Sequence, residues 1–444
     1  MRKLVAMILA IIMIAIVGLT FAETNSLTNG VVAGSSNAAL SDESINIVKE
    51  ITAFNQDSET IHAPLVTYTY TVAPADASAL KSVTDSENVT AVAKAGITTG
   101  LKVNNTTGTT GTISWNSSTD TMSTAAAGTA NSKNLTLDFS GVDFDAAGIY
   151  RYTITEALTS PSSYAAAGIT ETGGSHVRYL DVYVKDGTGT GAAAWDVYGF
   201  VCFYNNTNDE ISASSTSPHT NNLTSVVKTN GFVPGTTDGS TTNYADRYFT
   251  FNLTVSKTLV NDQAMNNNKF PFAVSLANTS VTQDVYLKTK TVKDGAAAVA
   301  GSDVHGVMNT GETGLQAIST TIDHQSNVKY IGIPVGVTTA TRVTVKEQNN
   351  VTGTIYKSQY SLQGAALTGD KNIANNDWSN IATMSAITAN QADTTSHTIG
   401  FTNTLETISP TGYVSRFAPY ALILVGGVAL LVIAMKKRKH TEED

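Results

Sequence analysis

The sequence predicts an all-β protein of two domains that lies between an export signal and a membrane-spanning tail. Many segments alternate Val, Ile, Tyr and Thr with polar residues, and helical periodicity is scarce outside the two termini. Only 14% of the 444 residues are charged, with a formal net charge of -9. So few charges argue against disorder, and a modest acidic excess does not suit a protein that binds nucleic acid.

The amino terminus has the three parts of a secretory signal peptide, which we assign to residues 1–22. Arg2 and Lys3 precede an apolar run, and the run ends in small residues up to Ala22. Polar sequence follows directly, without the basic flank of a stop-transfer segment, which favours cleavage over an uncleaved membrane anchor. We expect a mature chain from Glu23, with residues 23–43 as an N-terminal segment.

Cysteine usage is unusual for an exported protein. Cys202 is the single cysteine and lies in the apolar run Phe200–Tyr204. It can form no intramolecular disulfide, so we predict a small buried core residue. A different covalent crosslink then becomes more plausible for a chain outside the cell.

The segment Phe249–Leu259 alternates apolar and polar residues and carries Lys257 on its apolar face. Burying an ammonium group without a partner costs several kcal/mol. This strand therefore predicts either a buried counter-charge or a chemical use for the amine.

Two later strands place suitable partners on their inward faces. The strand Arg342–Glu347 turns Glu347 inward, and the strand near 399–405 turns Asn403 inward. A neutral Lys257 amine could attack the Asn403 amide and expel ammonia, while Glu347 moves the proton. Burial assists, since it lowers the pKa of a lysine and raises that of a carboxylic acid. A buried ion pair with a nearby amide satisfies the same parity, so both interpretations remain open.

The first domain repeats this pattern. A strand at 45–51 turns Lys49 inward, and a strand at 148–156 turns Glu156 inward. Between them, Tyr68 and Tyr70 on the strand 66–72 are expected to be exposed or half-exposed. Other expectations in this domain are loops or extra hairpins at 83–133, a turn rather than a calcium loop at Asp143 and Asp145, and a hairpin from 177–185 and 195–204.

These segments, with Leu180–Val184, resemble the streptococcal-type major pilins with isopeptide-linkage domains, over most of the mature chain. The resemblance implies tandem immunoglobulin-like β-sandwich domains, each joining a lysine on its first strand to an asparagine on its last with help from a buried acid. It places these roles on Lys257, Asn403 and Glu347, and on Lys49 and Glu156.

The first domain departs from that pattern at its asparagine. The comparable slot after Phe232 holds Pro234, which leaves Asn230 or Asn243 as candidates. Asn230 is favoured because it shares the parity of Phe232, although Lys228 on that parity fits poorly. The predicted boundaries are 44–234 for the first domain, 235–244 for a Gly/Thr/Ser-rich linker and 245–405 for the second domain.

Residues 406–444 look like a cell-wall sorting signal. Ile408–Gly412 precede the apolar run 417–435, which is long enough for a transmembrane helix and is followed by a basic tail. The resemblance implies that a sortase cuts between Thr411 and Gly412. The pentapeptide departs from Leu-Pro-x-Thr-Gly by Ile for Leu and Ser for Pro, and a permanent single-span anchor is the alternative.

The histidines lack metal-ligand spacing, and the sequence contains neither a nucleophile elbow nor a phosphate-binding glycine loop. We therefore expect no cofactor, no metal and no enzymatic activity beyond self-directed crosslinking. The expected function is a secreted, wall-anchored subunit of a Gram-positive-type pilus, with sortase, neighbouring pilin subunits, peptidoglycan and host surface ligands as partners. The alternative is a wall-anchored adhesin of the same fold that is not polymerised. The lysine that would accept the next subunit is not identified, and Lys228 is the nearest counterpart.

Overall fold

The structure is a computed structural model, and it describes most of two β-rich regions. The described residues are 43–75, 82–84, 90–92, 94–187, 189–203, 229–234, 244–261, 268–279, 281, 283–308, 318–336, 340–352, 354–388, 397–405, 420, 422–433 and 435. Several predicted features lie outside them: the signal peptide 1–22, nearly all of the N-terminal segment 23–43, Lys228, Asn243, nearly all of the linker 235–244, and the sorting residues Thr411 and Gly412.

Among the described residues before the predicted linker there are sixteen strands and two short 3₁₀ helices, at Ala165–Ala167 and Gly191–Ala194. The strands are β1 (Ser44–Phe54), β2 (Ile61–His62), β3 (Val66–Pro74), β4 (Ser82–Thr84), β5 (Thr90–Val92), β6 (Lys94–Ala95), β7 (Lys102–Val103), β8 (Thr106–Thr107), β9 (Thr110–Trp115), β10 (Thr121–Met122), β11 (Thr129–Asp138), β12 (Gly148–Ser160), β13 (Ile169–Thr172), β14 (Val177–Asp186), β15 (Trp195–Phe203) and β16 (Gly231–Phe232).

Twelve strands follow it in the described part of the chain. They are β17 (Ala245–Val260), β18 (Phe270–Ala277), β19 (Gln283–Lys293), β20 (Val299–Ala300), β21 (Val304–Met308), β22 (Ile318–Ile322), β23 (Ser326–Pro334), β24 (Thr341–Glu347), β25 (Tyr356–Leu362), β26 (Thr368–Ile373), β27 (Asn380–Ile387) and β28 (His397–Leu405). The predicted all-β class is confirmed.

One 14-stranded sheet runs through both regions, with the order β20-β19-β23-β17-β1-β11-β7-β8 along its main path. In the first region a second sheet, ordered β15-β14-β12-β3-β9, shares a core with β1 and β11. In the second region the sheet β22-β18-β24-β27 shares a separate core with β17 and β23. Each region is thus a two-sheet sandwich, and side chains alternate between its core and the opposite face.

Strand β17 contributes to both cores. Its first residues pair with β13 and, in parallel, with the end of β1, where Thr52 is opposite Arg247. Its later residues pair with β23 and, in parallel, with β28. Tyr248 packs in the first core, whereas Leu253 and Val255 pack in the second. The predicted strand thus begins four residues before Phe249, and its opening residues pack against the first region.

The predicted loops and hairpins at 83–133 include several short strands, β5 to β10, and the longer β11, which pairs with β1 along ten residues. Cys202 is fully buried in the first core, as predicted. Near the carboxyl end, residues 420, 422–433 and 435 are helical and exposed. In the part of the chain that the structure describes, no helix reaches the length and apolarity needed to cross a membrane, and the predicted helix 417–435 is not confirmed.

Candidate functional site

Three strands of the second sandwich bring Lys257, Glu347 and Asn403 together. Lys257 lies on β17, Glu347 on β24 and Asn403 on β28, with exposed fractions of 1%, 0% and 0%. The parallel register of β17 and β28 sets Lys257 opposite Phe401, and Asn403 is two residues further along. Because side chains two residues apart share a face, Asn403 points into the core that holds Lys257.

Glu347 contacts both other groups through a single oxygen. Its Oε1 lies 2.5 Å from Lys257 Nζ and accepts a hydrogen bond of 2.9 Å from Asn403 Nδ2. The Lys257 ammonium also stands 4.6 Å above the centre of the Phe270 ring. A single carboxylate oxygen is thereby placed to exchange protons with the amine on one side and the amide on the other.

Burial lowers the pKa of Lys257 from 10.5 to about 8, because desolvation outweighs the attraction of the Glu347 charge. A lysine in this state supplies the neutral amine at mildly alkaline pH, and the neutral amine is the nucleophilic form. The arrangement therefore permits attack on the neighbouring amide.

Two polar residues of this cluster were not predicted from the sequence. Ser358 Oγ donates to the second oxygen of Glu347 at 2.7 Å, and Asn380 Nδ2 donates to Ser358 Oγ at 2.5 Å. Ser358 is fully buried and shares the inward parity of Tyr356 on β25, so the alternation of residues along that strand could have identified it. These contacts fix the orientation of the carboxylate.

The first sandwich holds a second buried lysine with two acids. Lys49 Nζ lies 2.7 Å from Asp246 Oδ2 and 3.1 Å from Glu156 Oε1, and all three side chains have no exposed surface. It also donates to the Tyr244 hydroxyl. Lys49 and Glu156 therefore meet, as the resemblance implies, but the sequence-based reasoning missed Asp246.

Tyrosine hydroxyls surround both carboxylates. Tyr68 donates to Asp246 Oδ2 at 2.6 Å, while Tyr70 and Tyr244 donate to the two oxygens of Glu156 at 2.6 Å and 2.5 Å. The expectation that Tyr68 and Tyr70 are exposed or half-exposed is wrong, since both have 0% exposed surface. They face inward because the buried acids supply the hydrogen-bond acceptors that a buried tyrosine needs.

The two acids differ in their proton affinity. Burial raises the pKa of Glu156, but Lys49, His176 and the tyrosine hydroxyls more than offset it, so the net pKa lies below the usual range. Burial also raises the pKa of Asp246; Lys49 opposes this increase and Glu156 adds to it, so its net pKa lies above the usual range. A proton entering this cluster is therefore held by Asp246 rather than Glu156.

The structure does not place the Asn230 side chain at Lys49. Asn230 is exposed, and its backbone carbonyl accepts a hydrogen bond from the Val48 amide of β1 at 2.9 Å. The parity that favoured Asn230 holds only for a continuous strand, whereas β16 spans only Gly231–Phe232. Asp246 shares its face with Tyr248, and a strand predicted to start earlier than Phe249 would have exposed this signal.

Among the described residues, no group of three or more His, Cys, Asp or Glu side chains is arranged to hold a metal ion.

Comparison with known protein families gives one match, over residues 45–208, to FctA, described as a Spy0128-like isopeptide containing domain. No curated protein sequence matches the chain. Three solved structures of the major pilin from Streptococcus pyogenes are similar at 18% identity. One covers 81% of this chain and 98% of its own with a TM-score of 0.35; the T-13 and T3.2 forms cover 82% of this chain and 100% of their own with TM-scores of 0.34 and 0.35.

The domain assignment rests on the family match, because the similarity of the whole chain to the pilin structures is too weak to assign a family. The matched region contains Lys49 and Glu156. It identifies a structural protein rather than an enzyme. The chain therefore carries a Spy0128-like isopeptide-containing domain, as its resemblance to the streptococcal-type major pilins predicts.

Proposed function

We propose that this chain is the structural subunit of a Gram-positive-type surface pilus and that a self-generated bond between Lys257 and Asn403 stabilises it. The observation that supports this proposal is the buried cluster in which Glu347 Oε1 contacts both the lysine amine and the asparagine amide. An ordinary buried ion pair needs no amide at the same oxygen. The family match supports the assignment to a pilus.

The bond forms by amide exchange. Glu347 accepts a proton from the Lys257 ammonium, and the neutral amine attacks Asn403 Cγ. Glu347 then returns that proton to the departing nitrogen and accepts the second proton that the attacking nitrogen loses. Ammonia leaves, and a secondary amide and a protonated Glu347 remain. Contact between the reacting groups removes an entropic barrier of roughly 7–11 kcal/mol in well-aligned cases.

The bond would join the ends of the second sandwich, because β17 is its first strand and β28 its last. Closing a loop of this length stabilises by roughly 4–5 kcal/mol in the chain-entropy model for a disulfide. A pilus subunit benefits because an extracellular chain with a single cysteine has no intramolecular disulfide available.

Assembly and anchoring are assigned to a sortase that acts at Thr411 and Gly412. The Thr411 carbonyl is transferred to an amine, either on the neighbouring subunit or on the peptidoglycan precursor. The proposed partners are thus the sortase, further copies of this chain and the cell wall, with host surface ligands as additional candidates.

The bond is tested on peptides of the purified protein. In a tryptic digest, the peptide with Lys257 should be joined to the peptide with Asn403, at a mass about 17 Da below their sum, because ammonia is lost. Glu347→Gln should give separate peptides, whereas Glu50→Gln, the same change outside the cluster, should leave the joined pair. Separate peptides at full mass in the unaltered protein would leave only a buried ion pair.

Polymerisation is tested by immunoblotting of cell-wall extracts. A pilus subunit should give a regular ladder of high-mass species that survives boiling in detergent, and Thr411→Ala should abolish it. A single anchored band would contradict the pilus assignment and favour the non-polymerised adhesin.

A further inference from the structure

We propose that the first sandwich closes a second and chemically different crosslink, an amide bond between Lys49 Nζ and Asp246 Cγ that forms with loss of water. The inference extends the self-crosslinking chemistry proposed above to a carboxylic acid as acceptor. It is tested on peptides that the Lys257 bond does not involve, so the two proposals can fail separately.

Contact and burial are the first argument. Lys49 Nζ lies 2.7 Å from Asp246 Oδ2, nearer than to Glu156 at 3.1 Å, and neither side chain has exposed surface. The Lys49 ammonium also stands 4.0 Å above the Tyr68 ring. A nucleophile held against a carboxyl group in a site without exposed surface meets the geometric requirement for condensation.

Strand register is the second argument, because it repeats between the two clusters. In the second sandwich Lys257 is opposite Phe401, and Asn403 follows two residues later on the parallel neighbour. In the first sandwich β1 and β17 are parallel with Thr52 opposite Arg247. Lys49 itself is opposite Phe232 of β16, and β17 becomes the parallel neighbour further along β1. Asp246 directly precedes Arg247, so it lies beside the residue two positions after Lys49. Asn403 is likewise opposite Leu259, two positions after Lys257. Asp246 therefore occupies the position that Asn403 holds in the other cluster.

The acids repeat as well. Glu156 on β12 is opposite Tyr70 on β3, and Glu347 on β24 is opposite Phe272 on β18. Each cluster thus contains a lysine, an acid on the facing sheet and an acceptor on the strand parallel to the lysine strand. The only chemical difference among these three groups is a carboxyl acceptor in place of an amide.

A carboxylate resists attack, so the acceptor must carry a proton, and the hydrogen bonds indicate which acid does. Glu156 accepts from Tyr70, Tyr244 and Lys49, which stabilise its charge. Asp246 accepts only through Oδ2, and its buried Oδ1 has no hydrogen-bond partner among the described residues. His176 Nδ1 also lies 3.5 Å from Glu156 Oε1, so Glu156 has more groups that stabilise its charge and Asp246 is the acid that remains neutral. Its raised pKa agrees with this assignment.

Atoms and charges balance in the condensation of Lys49 with Asp246. Glu156 accepts a proton from the Lys49 ammonium, and the neutral amine attacks the Cγ of protonated Asp246. The tetrahedral intermediate loses its hydroxyl group as water after proton transfer through Glu156. The products are a secondary amide, one water molecule and a Glu156 that retains one proton. Condensation replaces a buried ammonium and a carboxyl group by a neutral amide, which lowers the desolvation cost.

The test is a tryptic digest of the purified protein. Lys49 should resist cleavage, and its peptide should be joined to Thr229–Arg247 at a mass about 18 Da below their sum, because water is lost. A loss of about 17 Da would instead indicate Asn230 or Asn243, which lie in the same peptide. Fragment ions that place the bond on Asp246 distinguish these acceptors directly.

Asp246→Asn supplies a matched variant. An asparagine acceptor loses ammonia rather than water and gives the same amide, so the crosslinked variant and the crosslinked parent have equal mass. Without crosslinks the variant is lighter by about 1 Da, the difference between an amide and a carboxylic acid. Asp246→Ala should release a Lys49 peptide that trypsin cleaves normally, and Glu156→Gln should do the same while retaining the shape of the side chain.

The parent digest decides the matter even if these variants fail to fold. Cleavage after Lys49, with Thr229–Arg247 recovered at its full mass, would overturn the inference. The joined Lys257 peptides in the same digest would show that this failure concerns the first sandwich alone.

Discussion

Lys257 is buried so completely that its protonation is coupled to folding. Its pKa is about 8 in the folded chain and 10.5 as the reference for an unfolded one. Between these values the unfolded state binds more protons, so the free energy of unfolding rises with pH. Over the interval from about pH 8 to about pH 10.5 the increase should approach about 3 kcal/mol.

Asn403→Ala makes this coupling measurable, since Lys257 then has no acceptor and keeps its amine. Denaturant unfolding from about pH 7.5 to about pH 11 should show the rise. The control adds Lys257→Met, which should remove the lysine contribution and leave only the slope of the other titrating groups. Equal slopes in the two variants would contradict the coupling.

Strand parity alone identified five members of the two clusters, because a charged or amide side chain on an apolar face must find a partner. Asp246 was missed since its neighbours Tyr244 and Tyr248 face a different core from Phe249 and Leu253. A parity count that assumes one core per strand cannot detect this change. The buried state of Tyr68 and Tyr70 was missed because tyrosine suits either face of a strand.

At the scale of elements, β16 is only two residues long but holds the site of Lys49 in place. Gly231 has φ +141°, and an added Cβ would lie 2.4 Å from the Val48 carbonyl oxygen on β1. Its own carbonyl accepts from the fully buried Arg178 guanidinium at 2.7 Å. Only glycine lets β16 approach β1 this closely in that conformation.

Gly231→Ala should therefore destabilise the first sandwich by about 2–4 kcal/mol, from backbone strain and the displaced contact. Denaturant unfolding measures the loss. Gly173→Ala is the matched control, since an added Cβ there meets nothing within 4 Å and its φ is not in the left-handed region. A similar loss in both variants would show that close approach at β16 is unimportant.

The positions of the long strands could be predicted, since 45–51, 342–347 and 399–405 lie within β1, β24 and β28. Strand pairing could not. That β1 joins β17 in parallel depends on contacts across 195 to 197 residues of sequence, such as that of Asn55 with Thr250. Alternation records which face a residue takes but not which strand lies beside it.

At the scale of the whole molecule, both proposed bonds involve β17, which carries Asp246 and Lys257. Lys49 and Asp246 are 197 residues apart in sequence. A chain of that length extends to about 650 Å when it is pulled straight, so a closed bond withholds that length from a stretched molecule.

Single-molecule pulling from the two ends should show this. Asp246→Ala should lengthen the fully extended chain by about 650 Å relative to the parent, with Asp181→Ala as a control that keeps the acceptor. Equal contour lengths would show that the first sandwich unravels in both proteins and that its ends are not joined.

Because both proposed bonds involve β17, they would also protect the chain against cleavage by a protease. With both bonds closed, a protease that cuts a loop between Lys49 and Asp246, or between Lys257 and Asn403, leaves the two cut pieces covalently joined. Between the two crosslinks only the Asp246–Lys257 part of β17 remains a single connection, and that part pairs on both sides with other strands. A fibre of such subunits can accumulate nicks in the loops that the two bonds enclose without breaking there, because the segment between the two bonds lies inside the sheet.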